Sequence, residues 1–437
     1  MTKVSIKKEY KASGVDWLGD IPAEWDVHRG KFIFRNRKEI NDRLQCENVL
    51  SLTMRGVISR EELGEGGLLP ASYATFQVFY PKNLVFKLID LENYKTSRVG
   101  LVPQKGIMSS AYVRLVAIDD TVIDTKFAYY FYYNLYLQGI YNFLGMGVRS
   151  TLGPWDLLEV SVLIPPLETQ RRIADFLDEK TKIIDELIAK KKKLIELLRE
   201  KRAVLVTRAV TKGLDPNAKL KPSGIDWLGN IPEGWEIAPL KKVIKSRMGG
   251  AWGESEAGGK NDVICVRVAD FDYDNLSISN KSLTLRNFSN LKKHLLLNKR
   301  SILLEKSGGG EKHLVGRAVS FTLNERAICS NFIEKMEIAS NYLSRHIAYL
   351  FAGLYVIKVN GKAIKQTTGI QNLDLHYFLQ NLVPLAPIEI QEQIADFLDA
   401  ETAKINKAIT FIEPQVEKLK EYRSSLIYHA VTGKIKV

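Results

Sequence analysis

Residues 303–318, LLEKSGGGEKHLVGRA, set Lys306, Ser307, Gly308, Gly309, Gly310 and Lys312 on a stretch that follows an apolar run. Glycines let a backbone come close to a phosphate, and lysine supplies the opposing charge. A flexible hairpin tip would have the same composition. KSRMGGAWGE (245–254) adds Arg247 and Trp252, and NGKAIKQTTG (360–369) adds Lys362, Lys365, Gln366 and Thr367. Arg, Lys and Gln are side chains that reach base edges in a duplex groove. The first half of the chain offers Arg55 in TMRGVISR, Lys95, Ser97 and Arg98 in ENYKTSRVG, Tyr112 and Arg114 in GIMSSAYVRL, and Arg149, Ser150 and Thr151 in MGVRSTLG. A solvated surface charge is the alternative for each of these.

Catalytic patterns are missing from the sequence. It contains no Gly-Lys-Ser/Thr of a Walker A loop, no HExxH, no Gly-x-Ser-x-Gly and no Asn-Pro-Pro-Tyr-type methyltransferase motif. His28, His294, His313, His346, His376 and His429 are scattered and read as structural. Cys46, Cys265 and Cys329 are odd in number and far apart, which excludes a disulfide framework or a CxxC metal site and fits a reducing cytoplasm. The expectation is recognition without catalysis: no enzyme activity, no metal and no cofactor on this chain.

The bulk numbers agree with that expectation. With 63 Lys+Arg against 50 Asp+Glu, the chain carries a formal charge of +13, a surplus that suits a polyanionic partner, nucleic acid first. A merely basic soluble protein is the alternative. The most membrane-like stretch, residues 127–146, is broken by Asn134, Gln138 and Asn142, so it reads as an aromatic helix in a core.

The elements that must position these residues are written twice. SGVDWLGDIPAEWDV (13–27) returns as SGIDWLGNIPEGWEI (223–237). IADFLD occurs at 173 and 394, and AVT at 209 and 430, each pair offset by 221 (394 − 173; 430 − 209). Between the repeated stretches lie two variable blocks with little shared sequence. β-type runs at 49–53, 83–88, 113–117, 263–268, 301–304 and 317–321 alternate with turn residues in them. Each block reads as a compact mixed α/β domain. Trp17 and Trp25, repeated as Trp227 and Trp235, read as packing anchors rather than functional groups.

The repeated arms read as long helices. A seven-residue lattice catches Leu177, Ile184, Lys191, Leu198 and Leu205, with Lys180, Leu187, Leu194 and Lys201 three residues after the first four. The second arm gives Leu398, Glu401, Ile405, Ala408, Ile412, Gln415, Leu419, Tyr422 and Leu426, and Pro414 is expected to kink or interrupt it. Pairing of the arms with each other is favoured over each packing on its own domain. An arm from Glu168 to Arg208 would be about 60 Å long. The fold class expected is α+β: two mixed α/β domains separated by two long α-helices pairing as an antiparallel coiled coil, with a pseudo-two-fold internal repeat. The boundaries expected are 1–160, 161–215, 216–384 and 385–437. Head and tail of the chain look like two halves of one linker, which places the C-terminal tail beside the N-terminal segment.

These residues carry a resemblance. GVDWLGDIP…W and its repeat, GVRSTLGPWDLLEVSVLIPPLETQRRIADFLD, NLDLHYFLQNLVPLAPIEIQEQIADFLD, SGGGEKHLVGR and GGAWG resemble the specificity subunits of type I restriction–modification systems over nearly the whole chain. The resemblance implies that the variable blocks are target recognition domains, each reading one half of a bipartite site on double-stranded DNA. The arms would set the half-site spacing and dock two DNA-methyltransferase (modification) subunits. S-adenosylmethionine would be bound by those partners, and ATP and Mg by two restriction (translocase–nuclease) subunits where present. It carries DNA contact onto Lys95, Ser97, Arg98 and Tyr112, and onto Trp252, Lys306, Ser307, Gly308, Gly309, Lys312 and Arg317. A cytoplasmic protein without membrane contact is expected. LAPIE stands where the family has PPLE, which together with Pro414 puts the straightness of the second arm in question.

Overall fold

The structure, a computed structural model, describes residues 9–53, 56–63, 72–89, 91, 99–144, 151–310, 313–367 and 369–437. It divides into two units. The first comprises 1–190 and 415–437, the second 191–414. Each unit therefore holds one variable block together with a portion of both arms.

The arms are two long helices, Leu167–Lys212 and Ile388–Val431. The second continues as a helix through Pro414, so of the kink or interruption expected there the interruption does not occur. In the first unit, Ile184 and Ile188 pack against Val416, with Leu419 and Leu426 beside them. In the second, Ile195 packs with Ile405, Ile409 and Ile412. Early residues of one helix meet late residues of the other in both places, so the pairing is antiparallel.

The seam differs from the expected lattice by about one residue. The inward positions are Leu177, Thr181, Ile184, Ile188, Ile195 and Val206 on one helix, and Leu398, Thr402, Ile405, Ile409, Ile412 and Val416 on the other. Inward residues thus follow the first set by four rather than three. Leu187, Leu194 and Tyr422, expected inside, are exposed. The physical reason is that 3.5-residue periodicity permits both 3-4 and 4-3 assignments, and Thr181 and Thr402 hide on the true seam by donating their hydroxyls to Leu177 O at 2.6 Å and Leu398 O at 2.7 Å.

The variable blocks share an architecture despite their unlike sequences. In the first unit, strands Phe34–Asn36, Val113–Ala117, Leu84–Phe86 and Val99–Leu101 lie in that order, all antiparallel. In the second, Ile244–Gly249, Ile333–Ile338, Ser301–Glu305 and Ala318–Ser320 repeat the arrangement. An aromatic helix covers each sheet, Thr125–Leu137 and Ser344–Val356, burying Phe127, Phe131 and Tyr132 in one and Ile347, Leu350 and Phe351 in the other. The second block adds a sheet of its own: Glu254–Ser255, Thr284–Asn287, Asp262–Val266 and Ala327–Cys329.

The repeated opening pairs its strands in the same register in both units. Tyr10–Ala12 pairs with Asp20–Pro22, and Leu220–Pro222 with Asn230–Pro232. Trp25 and Trp235 are buried, as packing anchors should be, and Trp17 packs partly buried on the same core as Trp25; Trp227 is instead exposed. The C-terminal tail lies beside the N-terminal segment: Tyr10 Oη donates to Gly433 O at 3.2 Å. Gly433 has φ +71°, and a Cβ there would stand 2.5 Å from Pro22 and 2.9 Å from Trp25, so only glycine passes.

Candidate nucleic-acid interface

Strand order in the second unit brings the separate basic segments together. After Ser301–Glu305 the chain continues into Ser307–Gly308, which pairs with Ile370–Leu373; that strand pairs in turn with Ile364–Thr367. The glycine-rich segment and the Lys365–Gln366–Thr367 segment are thus the outer strands of one small sheet. Ser307 donates its hydroxyl to Asn372 Oδ1 at 2.7 Å, and Gln371 Nε2 lies 3.5 Å from Gln366 Oε1. Lys365 pairs with Asp374 at 2.7 Å, and that pairing, helped by the Tyr377 amide, holds the Asp374 carboxyl below its ordinary range. Gly308 and Gly309 adopt φ +129° and +63°. A Cβ on Gly309 would stand 2.8 Å from Gln371 Oε1 and Val315 N, so this glycine serves the loop's closure on its own base.

Glu334 organises the cations. It lies opposite Gly249 on one side and Leu304 on the other. Arg247 precedes Gly249 by two residues and Lys306 follows Leu304 by two, so the period of the strand puts both on the face of Glu334. Arg247 Nη1 reaches Glu334 Oε1 at 2.9 Å, and Lys306 Nζ reaches Oε2 at 3.1 Å. The Glu334 side chain is only 6% exposed, whereas Arg247 keeps 44% of its surface in solvent. The carboxylate therefore anchors two cations whose far sides remain open.

Trp252 is 40% exposed. Gly250 N donates to Ile333 O and Ala251 N to Cys329 O, which fixes the backbone leading up to it. Arg286 stacks 4.2 Å over its ring and donates Nε to its carbonyl. Arg317 is placed differently. It pairs with the buried Glu305 at 3.2 Å, stacks 3.8 Å over Tyr273, and faces a hollow beside the long helices. Burial raises the Glu305 carboxyl, with Arg317 acting against that rise.

Sequence reasoning missed several neighbours. A polar cleft of about 310 Å³ next to Arg247 is lined also by Ser246, Lys293, His294 and Lys335. Lys335 donates to the carbonyls of His294 and Leu296. Phe332 is 44% exposed, and its carbonyl receives the amides of Lys306 and Ser307. The signal available in the sequence was a lysine within an apolar strand run, IEKMEI, and an aromatic residue next to it.

In the first unit, Tyr112 packs against a cluster that includes Leu50, Leu52 and Phe79, and burial raises its phenol. Arg114 is buried and donates to Val78 O at 2.7 Å, so it serves the fold. Arg55, Lys95, Ser97, Arg98, Arg149, Ser150 and Lys312 lie outside the described residues, as does the side chain of Thr367. Among the described residues, no group of three His, Cys, Asp or Glu side chains could hold a metal, and no helix is long and apolar enough to cross a membrane.

Comparison with known proteins closes the question of family. The type I restriction modification DNA specificity domain matches residues 69–197 and 232–413. The type I restriction enzyme MjaVIII specificity subunit of Methanocaldococcus jannaschii is 25% identical over 343 residues, spanning 76% of this chain and 75% of that protein. The putative MjaX specificity subunit of the same organism is 23% identical, spanning 70% and 68%. A chain from a solved structure, described as the structural basis of complex assembly and conformational transition of the type I R-M system, superposes with a TM-score of 0.68. It covers 95% of this chain and 99% of that one at 14% identity, a likeness of fold. Two variable blocks on one duplicated frame, each sheet built in the same order, and a match over most of both blocks place this chain in the type I restriction–modification DNA specificity family.

Proposed function

We propose that this chain is the non-catalytic DNA-recognition subunit of a type I restriction–modification complex. Each variable block reads one half of a bipartite, asymmetric site in double-stranded DNA. The long helices set the half-site spacing and dock two methyltransferase subunits, with two restriction subunits joining in the restriction complex. This chain binds no cofactor; S-adenosylmethionine belongs to the methyltransferase partners, and ATP and Mg to the restriction partners. The observation that carries the reading is the pair of equivalent sheets bearing unlike side chains. The second displays Arg247 and Lys306 around Glu334, whereas the first seats Arg114 against Val78.

The test is methyl transfer with defined subunits. The chain alone, given S-adenosylmethionine and duplex, should transfer nothing; with modification subunits it should methylate adenines in both half-sites. Mapping methylated adenines in the host genome by single-molecule sequencing gives both half-sites and the gap. Robust transfer by the isolated chain, or duplex affinity that ignores salt, overturns the proposal.

A further inference from the structure

The duplication lets one position be compared in two settings. With the offset of 221, Arg423 is the counterpart of Arg202 (423 − 202) and Asn406 that of Asp185 (406 − 185). In the first unit, Arg423 Nε pairs with Asp185 at 2.9 Å and its guanidinium lies 5.6 Å over Tyr133. Its charge is answered within the helix pair. In the second unit the counterpart is an amide. Asn406 Oδ1 accepts from Arg202 Nη1 at 2.7 Å but supplies no charge.

The missing carboxylate comes from the variable block. Strands Phe271–Asp272 and Ser277–Ile278 form a hairpin, and Asp274 at its tip forms an ion pair with Arg202. Asn406 Nδ2 donates to Asp274 O at 2.8 Å and to Asn275 Oδ1 at 3.0 Å. The tip is shaped beforehand: Asp272 Oδ1 accepts the amides of Asp274 and Asn275, both at 3.1 Å. Leu276, at φ +48°, turns the chain back, and Ser320 N on the main sheet donates to Leu276 O.

A second exchange sits next to the first. The aromatic helices correspond with an offset of 219, because Tyr130 and Tyr349 make the same bonds to Asp178 and Asp399. Tyr133 then corresponds to Ala352. Where Tyr133 covers Arg423, Ala352 lines a hollow of about 190 Å³ with Arg202, Tyr273 and Leu276 around it. The hairpin meets the helices across a space that packing leaves open, so the polar clasp holds it there.

We propose that Asp274 is a positioning residue, which latches the second recognition block onto the helix pair through Arg202 and Asn406 and so fixes how its reading sheet is presented. Where the first unit has the carboxylate of Asp185 the second has the amide of Asn406, and this difference leaves the socket that Asp274 fills. The proposal rests on the second unit being a DNA reader.

The experiment uses the full chain in complex with its methyltransferase subunits, as wild type, Asp274→Asn, Asn406→Asp and the double variant. Asn406→Asp gives Arg202 a carboxylate on the helix and repels Asp274. Hydrogen exchange of the 271–279 amides should speed up about fivefold in either single variant, the scale of one charge-assisted contact near the surface. The double variant should be no faster than the singles. Asp185→Asn should leave hairpin exchange unchanged. Lys306→Ala identifies the half-site read by the second block, as the one it weakens on duplexes with the other half-site scrambled. For that half-site KM should rise several-fold in Asp274→Asn and Asn406→Asp with kcat unchanged, and the other half-site should be unaffected. Unchanged exchange in both singles overturns the latch. Faster exchange with unchanged KM overturns the positioning role. If wild type distinguishes neither half-site, the DNA-reading proposal fails, while exchange still decides the latch.

Discussion

The Tyr349 hydroxyl donates to Asp399 Oδ1 at 2.7 Å, tying the aromatic helix of the second unit to the long helix Ile388–Val431. Thr402 Oγ1 lies 3.3 Å from the same hydroxyl, and Arg345 adds ion pairs to Asp396 and Asp399. Tyr130, Asp178, Thr181 and Lys126 repeat the arrangement in the first unit. Tyr349→Phe should destabilise the protein by about 1 kcal/mol, because Arg345 still satisfies Asp399. Tyr130→Phe should do the same, and urea unfolding of both variants checks the equivalence.

His346 is fully buried, and neither ring nitrogen has a hydrogen-bond partner among the described residues. Burial pushes it down to about 4. The unfolded chain therefore takes up this proton near pH 6.5 while the folded chain resists until about pH 4. The contribution is complete above 6.5 and is lost as pH falls through that window, reaching about 2 kcal/mol at pH 5. His346→Phe, which installs the residue found at the counterpart Phe127, should flatten the difference in urea midpoint between pH 7.5 and pH 5.

A Cβ on Gly250 would stand 2.1 Å from Cys329 O and 2.3 Å from Ser330 O, both backbone atoms. Gly250→Ala should cost about 3 kcal/mol, since the backbone on both sides is held by the bonds of Ala251 N to Cys329 O and Ser330 N to Val266 O. Calorimetric unfolding measures the loss, and a near wild-type midpoint would contradict this packing.

Glu334→Gln removes the charge shared by Arg247 and Lys306. The pair then carries one more uncompensated positive charge toward phosphate, so the slope of log K against log salt should steepen by about 1 while half-site discrimination falls. Titrations at several salt concentrations, with specific and scrambled duplexes, read both effects.

The seam register is tested by two alanines. Ile409 is 4% exposed and Leu194 46%. Ile409→Ala should cost about 2–4 kcal/mol and Leu194→Ala about 0.5 kcal/mol or less. Equal losses would restore the lattice that places Leu194 inside.

The repeat was legible because identity over a motif needs no structure to interpret. Strand runs such as Val113–Ala117 and Ser301–Glu305 were legible from their apolar, β-branched content bounded by turns. The order of strands was not, because pairing joins residues far apart, and nothing local says that Glu334 lies opposite both Gly249 and Leu304. The same limit hid the cleft at Lys293 and Lys335, which exists only once those strands are paired. Arg317 shows the converse: its residue type matched a surface contact, but its place just before strand Ala318–Ser320 turns the guanidinium toward Glu305. The arm register failed at Thr181 and Thr402, whose polar labels concealed inward positions.

Both variable blocks are stitched to the frame in the same fashion, Asp26–Arg29 with Ser161–Ile164 and Glu236–Pro239 with Leu382–Leu385. The seat of each block is thus built from the segments that border it, so the interior of a block can vary without changing how it is attached. Any block set in place of the second would keep the pairing of Glu236–Pro239 with Leu382–Leu385 as its seat, but the Arg202 socket asks that it bring its own acid.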